Sequence, residues 1–312
     1  MCRLFGFRSV VLSQVHHSLL HADNALLHQS EFHPDGWGVA YYVAGAPHLI
    51  KSVSTAVNDS LFKRVSGIVS SETVIAHLRK ATHGEFCITN THPFQFGNWV
   101  FAHNGNIKNF PEHREELLQK IAPRLRRFIL GNTDSEVAFY LILTHLSRYV
   151  ELHRPGCGVD ELAKAAGEAI QEICEVCGDY SVQDDGPPTD TYLSFVITNG
   201  ATMLAHNGGK TLYYSTYKNL CAVKDNCANF GTSCENAVGK GGFINHLIFS
   251  SEPLQGENVW LKMEPGQLVG VDWRMQLRMF GESAEAPQEI HFGNRERLSK
   301  DILKSLTGCD TH

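Results

Sequence analysis

Four stretches of this sequence put reactive side chains where a chain begins or turns. Cys2 follows Met1 directly, and loss of Met1, common before a small residue, would leave Cys2 with both a thiol and a free α-amino group. Such an amine titrates near about pH 8 and a thiol near about pH 8.5, so one residue would hold nucleophile and base together. A small inert core cysteine fits the position equally well. AHLRKATHG (76–84) ends an apolar run on Arg79, just before Thr82-His83-Gly84. A guanidinium there suits a bidentate grip on a carboxylate, and equally a surface arginine with its stem on the core. FAHNGNI (101–107) ends an apolar strand on Asn104-Gly105. A side-chain amide beside a glycine N–H offers the two donors of an oxyanion hole, although Asn-Gly is also a strong hairpin signal. GNTDSE (131–136) sets Asp134 at a helix start, where a carboxylate can cap the helix or bind a ligand ammonium.

The elements that must position these residues are legible as blocks. Short apolar runs between Gly, Pro, Asn and Asp predict strands at Gly38–Tyr42, His48–Val53, Val74–Leu78 and Trp99–Ala102. Helical spacing predicts helices over Pro111–Ile129, with Pro123 as a break or kink, and over Asp134–Val150, with Thr133 or Asp134 as N-cap. A third helix is expected over Val159–Val176, and strands return at Thr191–Thr198, Thr202–His206, Thr211–Tyr214, Leu247–Ser250 and Gln267–Val271. Strand blocks separated by long helices fit a layered α+β architecture better than βαβ alternation. Residues 281–312 are polar and are expected to form a tail outside a single domain of residues 2–280.

Taken together, the thiol with its own amine, the arginine, the aspartate and the Asn-Gly pair describe a pocket for an α-amino acid whose side chain carries an amide, that is, glutamine or a γ-glutamyl compound. MCRLFGF, HPDGWGVA (33–40), AHLRKATHG, NTHPF (90–94), FAHNGN and TDSE, in this order, resemble the class II glutamine amidotransferase domain, an N-terminal-nucleophile hydrolase. Ser251-Glu252-Pro253-Leu254, Trp260 and Pro265-Gly266 resemble the stand-alone branch, which includes γ-glutamyl hydrolases of ergothioneine synthesis and glutathione breakdown. The resemblance implies a four-layer αββα sandwich and hydrolysis through a Cys2 thioester, releasing glutamate and ammonia or an amine. It implies Cys2 as nucleophile with its amine as base, Asn104 and Gly105 as oxyanion hole, Arg79 for the substrate α-carboxylate and Asp134 for its ammonium, with Thr82 and His83 lining the pocket. Where larger synthetases of the family carry Arg-Gly before the aspartate that aligns with Asp35, this chain has Phe32-His33-Pro34. Two rival readings are an ammonia-donating subunit serving a separate acceptor and a non-catalytic γ-glutamyl-binding regulator.

Composition removes other classes. The chain has 312 residues, 43% of them apolar, a net charge of −6 and only one short basic cluster at 124–127, which argues against a sequence-independent grip on nucleic acid. No stretch reads as a signal h-region or a membrane span, so a cytoplasmic protein is expected. Nine cysteines without an export signal are expected to be reduced thiols. Seventeen histidines, including His17 and His21, lack an HExxH pattern, so neither metal nor cofactor is expected. Cys174 and Cys177 read as two thiols on one helix face, and Cys221, Cys227 and Cys234 as metal ligands or ordinary loop cysteines.

Overall fold

The computed structural model describes residues 2–81, 84–154, 156–183, 186–187, 189–221, 224–237, 242–281 and 289–290. Thr82 and His83 therefore lie outside the described residues, as does most of the polar tail. The first block holds β1 (Arg3–Gln14), α1 (Leu26–Gln29), β2 (Trp37–Val43), β3 (Ala46–Ser52), α2 (Ser60–Ile68), β4 (Ser70–Leu78), β5 (Phe94–Phe96) and β6 (Trp99–Asn106). A helical block follows, with α3 (Phe110–Lys120), α4 (Pro123–Arg126), α5 (Asp134–Leu146) and α6 (Val159–Cys177). The last block holds β7 (Tyr192–Thr198), β8 (Met203–His206), β9 (Tyr213–Ser215), β10 (His246–Ser250), β11 (Trp260–Lys262), β12 (Leu268–Val271), β13 (Leu277–Phe280) and β14 (Glu289–Ile290).

These strands form two sheets, ordered β14-β11-β9-β10-β1-β4-β2-β3 and β13-β12-β8-β7-β6-β5. Their pairings are antiparallel throughout. Because successive strand residues face opposite ways, each sheet offers one face to the other sheet and one to helices. Leu4, Ile75, Val100, Ala102, Val196 and Phe249 meet between the sheets. Their neighbours Phe5, Val74, Ala76 and Leu78 pack outward with Phe62 and Val65 of α2. On the far side Phe101, Phe195 and Ile197 pack against α3, α5 and α6, and all thirteen residues of α5 are buried. The result is the expected αββα sandwich.

Three differences from the sequence-based elements have physical causes. The predicted 111–129 helix is two pieces, because Ile121 and Ala122 are extended ahead of Pro123, whose ring disfavours helix in the residue before it. The strand predicted to stop at Ala102 runs through Asn104-Gly105 to Asn106, paired with Leu193 and Ser194 of β7, so Asn-Gly makes no hairpin there. The twelve-residue β1 lies at the centre of the larger sheet between β10 and β4 and was not among the predicted strands. Beyond the boundary expected at 281, Glu289–Ile290 pairs with Trp260–Leu261.

Candidate active site

Cys2 enters the sandwich at the first position before β1. Arg3 pairs with Leu78 in an antiparallel register, and continuing it by one residue brings Cys2 alongside Arg79 at the end of β4. The Lys80 N–H donates to Cys2 Sγ at 3.3 Å, and the thiol faces the Lys80 carbonyl oxygen at 3.4 Å. By alternation with Leu4, the thiol points into the space between the sheets. The motif at 251–254 secures this strand: Leu4 N–H donates to Ser251 Oγ (2.8 Å), Ser251 N–H to Leu4 O (3.0 Å), and Arg3 pairs with Glu252 at 3.6 Å. Burial pushes the Cys2 thiol above its ordinary pKa; the Lys80 hydrogen bond and Arg79 pull it down, and Asp134 pushes it up. Arg79 and Asp134 are thus both close enough to bias the thiol electrostatically.

Arg79 is 3% exposed. Its guanidinium donates to the carbonyl oxygens of Glu85 (3.3 Å) and Gly84 (3.4 Å) and lies 5.6 Å from the Phe86 ring centre. The backbone around it is held by Asp35, whose carboxylate accepts from Ala81 N–H at 2.8 Å and whose own N–H donates to Arg79 O. The loop bearing Gly84 and Glu85 is joined to the loop before α5 by a two-way clamp. Asn90 Nδ2 donates to Asn132 Oδ1 (2.8 Å), and Asn132 N–H donates to Asn90 Oδ1 (3.0 Å). Asp35 and Asn90 sit in motifs quoted above for the resemblance, but nothing in their spacing revealed these supporting bonds.

Asp134 opens α5, while the capping itself falls to Thr133, whose hydroxyl accepts from Glu136 N–H at 3.3 Å. The Asp134 carboxylate instead accepts from Ile107 N–H (2.7 Å) and Ser135 N–H (2.8 Å), which ties α5 to the end of β6. Glu136 accepts from Leu130 N–H and Gly131 N–H and shapes the turn before the helix; burial raises its carboxyl above the usual range.

Across the sandwich, Asn104 alternates with Val100 and Ala102 and so faces the same inter-sheet space as Cys2. It is 4% exposed, and its Oδ1 has no hydrogen-bond partner among the described residues. Gly105 fills a spot closed to any side chain, because a Cβ there would lie 2.0 Å from Tyr192 O and 2.2 Å from His103 Nε2. His77, two residues before Arg79, reaches from β4 to the His103 carbonyl on the facing sheet at 3.2 Å. His77, His92 and His103 were not singled out in the sequence, where buried histidines carry no periodic signal of their own.

Cys2, Arg79, Asn104, Gly105 and Asp134 thus come from the edge of β1, the ends of β4 and β6, and the start of α5. The eight described cysteines are free thiols. Among the described residues no group of three or more His, Cys, Asp or Glu side chains could hold a metal ion, and no helix is long and apolar enough to cross a membrane.

Comparison with known proteins bears on the family and the fold. The family model for class-II glutamine amidotransferases matches residues 1–289. A Saccharomyces cerevisiae protein named "Probable glutamine amidotransferase DUG3" is 30% identical over 224 residues, which are 65% of this chain and 62% of the yeast protein. The match thus spans less than two thirds of that relative's length. A glutamine aminotransferase class-II domain protein of Silicibacter pomeroyi superposes with a TM-score of 0.53 at 21% identity, over 94% of this chain and 100% of that one. Glutamine phosphoribosylpyrophosphate amidotransferase of B. subtilis gives 0.54 at 14% identity, over 91% and 50%. At these identities the two structures speak to the fold, and the family match, which takes in nearly the whole sandwich, speaks to the chain itself: it belongs to the class-II glutamine amidotransferases.

Proposed function

We propose that this chain hydrolyses the γ-amide of glutamine or of a related γ-glutamyl compound through a Cys2 thioester. With Met1 removed, the Cys2 α-amine accepts the thiol proton and the sulfur attacks the side-chain carbonyl carbon. The resulting oxyanion accepts hydrogen bonds from Asn104 Nδ2 and Gly105 N–H. Collapse of this intermediate expels ammonia or an amine, which takes the proton back from the α-ammonium, and leaves a thioester. Water then adds to the thioester, glutamate departs, and the thiol is restored. Arg79 binds the substrate α-carboxylate and Asp134 its ammonium, with Thr82 and His83 at the pocket wall. On this reading residues 2–280 are the catalytic domain, joined by the short strand Glu289–Ile290 beyond that boundary, and the reaction, which needs no cofactor, runs in the cytoplasm.

The observation that carries the proposal is the environment of one thiol. Cys2 Sγ is buried, held by the Lys80 backbone, and lies within electrostatic reach of both Arg79 and Asp134. Opposite fixed charges beside a nucleophile suit a zwitterionic α-amino acid, and they orient it so that a side-chain amide reaches the sulfur. Since burial holds the thiol protonated at neutral pH, a local base is required, and the freed α-amine supplies one without a histidine.

The test is glutamate release by chain lacking Met1, assayed on glutamine, glutathione and other γ-glutamyl amines in parallel. The proposal expects at least one to be hydrolysed and a Cys2→Ala variant to hydrolyse none. Turnover surviving in Cys2→Ala would refute it.

A further inference from the structure

Three buried histidines behind the pocket take no part in the chemistry above. His77 is fully buried, His103 is 1% exposed and His92 is 4% exposed. Burial drives all three below the ordinary imidazole pKa, His77 to about 3, so they are neutral rings at working pH. A neutral imidazole carries one N–H and one acceptor nitrogen, and its surroundings select which is which. Among the described residues the one hydrogen bond of the His77 ring joins Nε2 to the His103 carbonyl oxygen, an acceptor, so the proton sits on Nε2, and Nδ1 finds no partner among them. The His92 ring lies 4.1 Å from that of His77 and 4.6 Å from that of Phe94, and among the described residues its nitrogens find no hydrogen-bond partner, so it holds His77 by ring packing.

The carbonyl that His77 grips belongs to the peptide that leads into Asn104. The same residue is fixed again through its side chain: His103 Nε2–H donates to Tyr192 O at 2.9 Å, leaving Nδ1 to accept from the Ser135 hydroxyl at 2.9 Å. Gly105 follows with no room to shift toward Tyr192 O or His103 Nε2. The peptide ahead of the two oxyanion donors is therefore held from the facing sheet by His77 and from α5 and β7 by the His103 ring.

We propose that His77 is a positioning residue for the oxyanion hole: from β4, the strand that leads into Arg79, it fixes the His103–Asn104 peptide on the opposite sheet. The inference rests on the reading of Asn104 and Gly105 as that hole. It gives the inter-sheet contact a catalytic purpose, since both halves of the site are then referenced to one strand.

The experiment compares His77→Leu with His77→Gln, whose Nε2 can reach the same carbonyl. A donor misplaced by about 1 Å can cost on the order of 100-fold, so His77→Leu should lose about 10- to 100-fold in kcat. Glutamine KM and inhibition by glutamate should stay within about threefold, because Arg79 and Asp134 are untouched, and His77→Gln should recover most of the loss. Wild-type kcat in His77→Leu, a KM rise as large as the kcat loss, or no rescue by glutamine would overturn the proposal. Should neither variant fold, nitrogen-labelled histidine NMR of the wild-type protein decides: the Nε2–H tautomer of His77 is expected, and an Nδ1–H tautomer or an imidazolium refutes it. An inactive wild type would instead sink the proposed function, which separates the two failures.

Discussion

Replacing Gly105 by alanine adds one methyl group at the point where the proposed oxyanion hole is least able to move. The new Cβ would lie 2.0 Å from Tyr192 O and 2.2 Å from His103 Nε2, and the first of these is backbone. Tyr192 O cannot simply swing away, because it accepts the His103 ring N–H and belongs to the β6–β7 ladder. Reaching even the 3.0 Å that real Cβ atoms keep requires the two strands to part by about 1 Å. Overpacking of this kind costs roughly 1–3 kcal/mol of stability, which a 312-residue protein should survive at 25 °C with its melting point a few degrees lower. A displacement of about 1 Å in an oxyanion donor is worth about 100-fold in rate. The assay is steady-state glutamate release from glutamine, with folding checked by circular dichroism. Gly105→Ala should lose at least about 100-fold in kcat while KM stays within threefold. A folded variant with kcat within threefold of wild type would refute the claim that this glycine N–H stabilises the transition state.

Other consequences can be measured on the same protein. Asn104→Ala removes the second donor and should lower kcat by about 100- to 1,000-fold with little change in glutamine KM; an unchanged kcat counts against the hole. Arg79→Ala should raise glutamine KM about 10- to 100-fold, the scale of a charge-assisted bidentate pair, with no recovery in Arg79→Lys, and a wild-type KM would remove Arg79 from the carboxylate site. Asp134→Asn keeps an oxygen for Ile107 N–H but loses the charge and turns its NH2 toward Ser135 N–H, so KM should rise about tenfold with some loss of stability; an unaltered KM would assign Asp134 to structure alone. His33, His206 and His246 are each lowered to about 4 and His77 to about 3, so the unfolded chain takes up protons first as pH falls through about 6.5. Stability from these sites is intact above that pH and is lost toward pH 4, at about 1 kcal/mol per pH unit for each. Urea midpoints should hold from pH 7 to 8 and drop steeply from pH 6 to 4; equal midpoints at pH 7 and 5 would contradict neutral burial.

How much of this was legible in the sequence depended on the range of the contacts involved. α6 was readable almost to the residue because it buries Leu162, Ala166, Ala169 and Ile173 along one stripe, and helical spacing is a local signal. The sandwich order followed from strands flanking helices. β1 escaped because its partners are distant: β4 begins at Ser70 and β10 at His246, and Gly6, Arg8 and Ser9 break its apolar pattern. Asn104-Gly105 carried two local readings, hairpin or strand end, and the distant β7 excluded the hairpin by carrying the strand through both residues to its end at Asn106. Arg79 lies where the sequence expected it, one residue past the end of β4. The Asn90–Asn132 clamp and the His77–His103 bond were invisible, since each joins residues far apart in the chain through side chains with no periodicity.

Cys2 as nucleophile and its freed amine as base are the two roles everything else depends on, and trapping tests both in a single spectrum. Active protein treated with the glutamine analogue diazo-oxo-norleucine, then measured as intact mass and mapped by peptide, should carry one adduct on Cys2 in a chain that has lost Met1. An active enzyme with Met1 still attached, or an inactivating adduct on any other residue, would contradict the account.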